Sequence, residues 1–289
     1  MYLPDFDYYA PDSVADAVRL LAKFGRKATV LAGGTDVLHK MKLGTLAPEI
    51  VISLKNLRHL KEIRHEPGRG VVIGALATQN DLVNSPVLQQ SYLSVSEAAH
   101  QMASQQIRNL GTVGGNIVNA VPSADLPPIL IALGATIRLV GAYGERTMAL
   151  EEFFTGAAQS VIAQDEVLTE ILIPDQVTTG STYKKFGLRR SGALAVAGVA
   201  VAVTVAGDTL KDARIVLSSA APTVIRARSA EDFLKGRKIS AELLAEAGAL
   251  AERDSRPRDS IRGSAEYRRN LVRVLTKRTL KRAIEEGHV

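Results

Sequence analysis

The chain has no cysteine and no tryptophan, and only 4% of its 289 residues are aromatic. Without cysteine it forms no disulfide, no thiolate zinc site and no iron–sulfur cluster of its own. The N-terminal MYLPDFDYY has no basic region followed by an apolar run, so no secretory leader is expected. The longest nearly apolar stretch, ALAVAGVAVAVTVA (193–206), falls short of the roughly 20 residues needed to span a bilayer. A cytoplasmic protein with no membrane span is therefore expected. The five histidines (His39, His59, His65, His100, His288) are scattered without a pair at i, i+4, so no metal site is expected. Ser218 and Ser219 lack a nucleophile-elbow motif, and no catalytic serine is expected.

What is present is the composition of a soluble globular protein, with 46% hydrophobic and 23% charged residues. At this length two or three lobes are expected rather than one core. The formal net charge is +6. The basic excess sits near the C-terminus, in SAEYRRNLVRVLTKRTLKRAIEEG. Leu271, Val274 and Leu275 make an apolar stripe there, which predicts an amphipathic helix with a basic outer face. No nucleic-acid motif accompanies the charge, so it reads as a solvated face or a contact for an acidic partner protein.

Along the chain, SVADAVRLLAKF (13–24) predicts a helix, capped by Ser13 with Asp16 three residues on and ended by Gly25. ATVLAGG, EIVISL (49–54) and GVVIGALAT (70–78) predict strands. A helical region is expected from Val87 to Ser104. Asp125 to Leu133 predicts a helix with prolines in its first turn, and ATIRLVG (135–141) another strand. Pro174 and DQVTTGST read as a linker. Beyond it, ALAVAGVAVAVTVAGDTLKDARIVLSSAAP predicts a β-hairpin turning at Gly207 and Asp208, followed by two or three helices from Ser229 onward. The fold class expected is α+β.

Two glycine clusters stand out: LAGGTDVL (31–38) and GTVGGN (111–116). Glycine permits positive φ and lets backbone N–H groups face outward, and a run of them makes a concavity suited to phosphate oxygens. Thr35 and Thr112 add hydroxyls, Asn116 and Asn119 add groups for a sugar or polyol, and Asp125 adds an acceptor. Neither cluster is G-x-G-x-x-G or a Walker A loop, so neither of those phosphate motifs is indicated. On the residues alone, an anion cradle and a pair of tight turns stand about even.

The stretches LAGGTDVL, IGALAT and QIRNLGTVGGNIVNAVPSADLPP resemble the FAD-binding medium subunit of molybdenum hydroxylases, the xanthine dehydrogenase and carbon monoxide dehydrogenase family. The resemblance covers nearly the whole chain. It implies a vanillyl-alcohol-oxidase-type FAD-binding domain over residues 1–175, in two α/β subdomains of about 1–57 and 58–175. A C-terminal domain of a small antiparallel sheet and helices would follow over 176–289. The cofactor implied is FAD, extended between the subdomains with both glycine clusters along its pyrophosphate. The first motif matches Leu31, Ala32, Gly33, Gly34, Thr35, Asp36 and Val37; the second matches Gly111, Thr112, Gly114, Gly115 and Asn116. Asn119 and Ser123 would lie near the ribityl and phosphate, and Asp125 would hold a sugar hydroxyl. Met102 and Ala103 would lie on the adenine side. In YKKFGLRR, Lys185 would lie near the isoalloxazine edge; Arg189 and Arg190 read equally as contacts to anionic flavin or a partner and as members of a surface salt bridge. Leu168 or Ile171 would cover the ring face.

The resemblance implies an electron relay without a catalytic residue of its own. Partners would be a molybdopterin-binding large subunit and a 2Fe–2S small subunit, assembled as a dimer of heterotrimers. Electrons would leave to NAD⁺ or another acceptor. The absence of cysteine rules out the extra iron–sulfur cluster that some relatives carry. Gly-Thr-Asp in the first motif is the variant of xanthine-dehydrogenase-like members. A stand-alone flavoprotein reductase of the same fold and a non-catalytic scaffold are the alternatives.

Overall fold

A computed structural model describes residues 3–175, 178–189 and 191–286; Arg190, His288 and part of the expected linker lie outside them. The chain starts with three parallel strands, β1 (Asp7–Tyr9), β2 (Ala28–Leu31) and β3 (Ile50–Ser53), in the order β1-β3-β2. Helix α1 (Val14–Phe24) joins the first two. It begins where expected: the Ser13 hydroxyl accepts from the Asp16 N–H at 3.0 Å, and Ala17, Val18 and Leu21 are buried. The short helix α2 (Val37–Lys42) follows the first glycine cluster.

Next come β4 (Ile63–Glu66) and β5 (Gly70–Gly74), then a run of short helices. These are α3 (Gln79–Asn84), α4 (Pro86–Ser91), α5 (Leu93–His100), α6 (Gln105–Arg108), α7 (Val113–Val118) and α8 (Leu126–Ala132). Strands β6 (Thr136–Gly141) and β7 (Gly144–Ala149), a small hairpin of β8 (Phe154–Gly156) and β9 (Gln159–Ser160), and β10 (Val167–Pro174) complete this lobe. Its five-stranded sheet is antiparallel in the order β4-β5-β10-β6-β7. The strand expected over 70–78 ends at Gly74, because Thr78 instead caps α3: its side chain accepts from the Asp81 N–H, and the Asp81 carboxylate accepts from the Thr78 N–H. The helical region expected from Val87 to Ser104 is broken at Tyr92 and stops at His100.

The last lobe opens with β11 (Gly180–Phe186), which begins inside the run expected to be a linker. It pairs with β12 (Ala197–Ala206), and β12 with β13 (Thr209–Ser218) around the Gly207–Asp208 turn. Two-residue strands β14 (Ile225–Arg226) and β15 (Arg237–Lys238) flank β13, with helices α9 (Arg228–Leu234), α10 (Ala241–Asp254) and α11 (Ala265–Glu286) beyond. Strand period decides which face each residue of β12 meets. Val199, Val201 and Val203 enter a core with Leu244, Val272 and Leu280, while Ala200 and Ala202 enter the core of the middle lobe beside Leu126 and Ile129. Alanine on that face lets α8, with all seven residues buried, pack close to the sheet.

The stripe expected on α11 is displaced. Val272, Thr276, Thr279, Leu280, Ala283 and Ile284 are buried, whereas Leu271 and Leu275 are half-buried and Val274 is exposed. Two core positions are threonines, so hydropathy alone pointed to the wrong edge of the helix.

Candidate functional site

A cavity of about 1110 Å³ lies between the parallel sheet and the middle lobe, closed at one end by the loop Gly192–Leu194. The first glycine cluster reaches it straight from β2. Ala32, Gly33, Gly34, Thr35, Asp36 and Val37 all line the wall. A Cβ on Gly33 would stand 1.9 Å from the Leu110 carbonyl oxygen, so only glycine allows the two clusters to touch. Gly34 has φ of +74°. The N–H groups of Gly33, Gly34, Thr35 and Asp36 donate to no acceptor among the described residues. A run of free N–H groups at a cavity wall is a backbone feature that can serve an anion.

The second cluster is built differently. The loop after β5 holds it: Gln79 N–H donates to the Gly111 carbonyl, Val113 N–H to Ala77 and Gly114 N–H to Ala75, each at 2.9 Å. Thr112 then caps α7 by accepting from the Gly115 N–H at 3.0 Å, and Asn116 N–H donates to the Thr112 carbonyl. The N–H groups from 113 to 116 are thus all taken, which corrects the expectation that both clusters present an outward run. Gly114 is required by packing: its Cβ would meet the Ala75 carbonyl oxygen at 2.7 Å. Gly111, Thr112, Gly114, Gly115 and Asn116 nevertheless line the cavity. The clusters are also tied by side chains, with Asn119 donating to Asp36 at 2.9 Å and Lys40 donating to Asn119 at 2.9 Å.

Met102, Ala103, Asn119, Ser123, Asp125 and Leu168 complete the expected lining residues. Ala103 has φ of +44°, a strained backbone for alanine. Three expected residues lie elsewhere. Leu31 sits behind the first cluster, its side chain beside Gly34. Ile171 is wholly buried in the middle core, beyond a bulge in β10 that separates it from Leu168. Lys185 is outside the wall, behind Asp125.

Asp125 is 4% exposed and joins the lobes. Its Oδ1 accepts from the Tyr183 hydroxyl at 2.8 Å and its Oδ2 from Lys185 Nζ at 2.7 Å. Lys185 also donates to the Ala193 carbonyl at 3.2 Å, on the loop that closes the cavity. Burial pushes the Asp125 carboxyl up, opposed by Lys185 and then by Tyr183. Burial and the Asp125 charge push the Tyr183 phenol well up, so it remains a donor. The charge of Lys185 is matched by Asp125, so this pair presents no net cation to the cavity. Arg189 is exposed and donates to the Gly192 carbonyl.

Several cavity residues were not singled out from sequence: Arg26, Lys40, Gln79, Gln164 and Leu194. Lys40 had a signal in its place one turn past the first cluster. Gln79 had one in the Thr-x-x-Asp capping pattern that opens α3. The others arrive only through packing.

Residues 4–176 match the model of the FAD-binding domain in molybdopterin dehydrogenase, and residues 181–283 that of the CO dehydrogenase flavoprotein C-terminal domain. Among curated relatives, the carbon monoxide dehydrogenase medium chain of Hydrogenophaga pseudoflava is 37% identical over 284 residues, covering 98% of each chain. The glyceraldehyde dehydrogenase medium chain of Sulfolobus acidocaldarius is 31% identical, covering 97% of this chain and 99% of that one. A solved carbon monoxide dehydrogenase from H. pseudoflava superposes with a TM-score of 0.95 at 37% identity, over 99% of both chains. The fold and the site define a flavoprotein. The chain belongs to the FAD-binding medium subunits of molybdenum hydroxylases, and its cofactor is FAD. The cavity fits that group: it has the run of free N–H donors for a pyrophosphate, and the buried Asn116 Oδ1 in its wall lacks a partner.

Proposed function

We propose that this chain is the electron-transfer subunit of a heterotrimeric molybdenum hydroxylase. It would take electrons from a 2Fe–2S small subunit, served in turn by a molybdopterin-binding large subunit, and pass them to NAD⁺ or another acceptor. The observation that carries the reading is the free N–H run of Gly33–Asp36 at a cavity of dinucleotide size. Bound FAD supplies the one- and two-electron chemistry. The protein binds, orients and shields it.

In this reading Gly33, Gly34, Thr35 and Asp36 hold the pyrophosphate through their N–H groups. Gly111, Thr112, Gly114 and Gly115 form the facing wall, with Ala32 and Val37 at its edge. Asn116, Asn119 and Ser123 supply polar contacts to the ribityl and phosphate, Asp125 accepts from a sugar hydroxyl, Met102 and Ala103 lie by the adenine, and Leu168 covers the ring. Leu31 and Ile171 support from behind. Lys185 fixes Asp125 and the Ala193 carbonyl and so holds the closing loop. The division into 1–57, 58–175 and 176–289 draws support from three hydrophobic cores centred on those segments, though Leu60, Leu76 and Val167 join the first and Tyr183, Ala200, Ala202, Val216 and Val224 the second.

Partner binding has support of its own. Leu43, just after α2, and Leu110, between α6 and α7, are exposed apolar side chains near the two clusters; Ile107 on α6 and Val118 on α7 are exposed too, but they line the cavity. Exposed apolar surface of this kind marks an interface. A cytoplasmic dimer of heterotrimers is the assembly that fits the reading, and no helix of the described residues is long and apolar enough to cross a membrane.

The test is anaerobic mixing of the FAD-loaded chain with NADH. Bleaching of the flavin absorbance supports exchange with a nicotinamide. No bleaching with NADH but bleaching by a quinol removes NAD⁺ from the reading. Co-purification with 2Fe–2S and molybdopterin subunits on co-expression checks the partners.

A further inference from the structure

Gln79 is the first residue of α3, directly after Thr78, and it is wholly buried. Its own N–H is spent on the Gly111 carbonyl. Its Cγ and the Thr35 hydroxyl lie 3.9 and 3.7 Å from the point where Gly111 would carry a Cβ, so the side chain stands where the two glycine clusters meet. It belongs to the cavity wall. Yet both Nε2 and Oε1 lack a hydrogen-bond partner. Among the described residues, the Asn116 Oδ1 is the other unpaired buried atom in this wall, whereas the unpaired hydroxyls of Thr182, Ser218, Thr276 and Thr279 lie away from it.

A buried amide unpaired at both ends is costly, and native chains keep one where a ligand completes it. This amide requires a donor and an acceptor together. Ionised pyrophosphate offers acceptors only, so it satisfies Nε2 and leaves Oε1 bare. We infer that Gln79 is a binding residue for FAD and that it holds a group presenting a donor beside an acceptor. FAD presents such groups at the hydroxyls of its ribityl chain and ribose, at the imide edge of the flavin ring and at the amino edge of adenine. The inference rests on the reading that this cavity is the FAD site.

The experiment compares the full-length wild type with Gln79→Met, a side chain of similar length and volume that removes both polar atoms. Three quantities are read: the melting temperature without cofactor, the FAD dissociation constant, and the visible spectrum of the loaded protein. The expected result is a cofactor-free Tm equal to or above the wild type, because the orphaned amide is gone, together with FAD binding weaker by about tenfold. A shift of the flavin bands assigns the contact to the imide edge; weaker binding with unchanged bands assigns it to a ribityl or ribose hydroxyl or to the adenine edge. Gln79→Asn, which keeps a shorter amide, should recover part of the affinity. Equal FAD affinity in Gln79→Met overturns the inference while leaving the FAD site standing. A lowered cofactor-free Tm, or failure of Gln79→Met to fold, makes Gln79 a packing residue and also overturns it. A wild type that takes up no FAD removes the reading of the cavity, and the inference falls with it.

Discussion

In the first glycine cluster four successive N–H groups, from Gly33 to Asp36, meet no acceptor among the described residues. In the second, the four from Val113 to Asn116 are all spent, two on the loop after β5 and two on Thr112. The compositions are alike, but the glycines answer different requirements. Gly33 and Gly114 let backbone meet backbone, at Leu110 and at Ala75. The first cluster keeps four successive donors free among the described residues, the second only that of Thr112. The second acts as the wall that holds the first in place, which explains why IGALAT and GTVGGN occur together: one is hydrogen-bonded along the other.

The largest way to break this arrangement is at the contact between the clusters. Gly33→Val places a branched side chain where the Leu110 carbonyl already stands. Overpacking against a backbone that cannot yield should cost about 3 kcal/mol or more. Urea unfolding of the cofactor-free chain should show that loss, and FAD uptake should vanish with it. Stability within error of the wild type would mean that the clusters do not rest on each other.

Within the second cluster, neighbouring glycines separate packing from binding. Gly114→Ala meets the Ala75 carbonyl oxygen and Cβ and should lose about 1–3 kcal/mol. Gly115→Ala meets only the Thr112 hydroxyl, at 2.9 Å, and gains helix propensity, so stability should stay within about 1 kcal/mol. Gly115 still lines the cavity, so FAD titration should show weaker binding in Gly115→Ala. If Gly115→Ala loses stability and Gly114→Ala does not, the assignment of roles is reversed. A smaller effect is expected for Thr112→Val, which keeps the shape and removes the cap on the Gly115 N–H; urea unfolding should show a loss of about 1 kcal/mol.

These contrasts also mark how far the sequence could be read. Helix α1 was legible because its cap, apolar spacing and terminal Gly25 are all local, as were the prolines opening α8 and the Gly207 turn. Helices α2 and α7 were hidden, one by its shortness and the other by two glycines inside it. The first three residues of β11, Gly180 to Thr182, read as linker because they are small or polar, although Thr182 is buried. At the site, the motif residues were found because they follow one another in the chain. Gln79 was missed because its meaning lies in contact with Thr35 and Gly111, which only tertiary packing brings to it. Lys185 is expected near the isoalloxazine edge; its ammonium meets Asp125, 60 positions earlier, a pairing that only the fold brings about.

The link between the lobes can be sharpened by pH. Burial holds the Asp125 carboxyl above the ordinary aspartate value, against the pull of Lys185 and Tyr183. The folded chain therefore binds this proton more tightly than the unfolded chain does. Between the ordinary value and the raised one, the folded state carries the extra proton, so Asp125 makes stability fall as pH rises across that window. Above the raised value both states are ionised and the contribution is level. Asp125→Asn carries no such proton. The stability of the wild type minus that of Asp125→Asn, from urea unfolding of cofactor-free protein at a series of pH values, should decline with rising pH and then level off. A difference that instead grows with pH would mean that Lys185 and Tyr183 outweigh burial and hold the carboxyl below its ordinary value, and the tie between the lobes would then be an ion pair that strengthens as the carboxyl ionises.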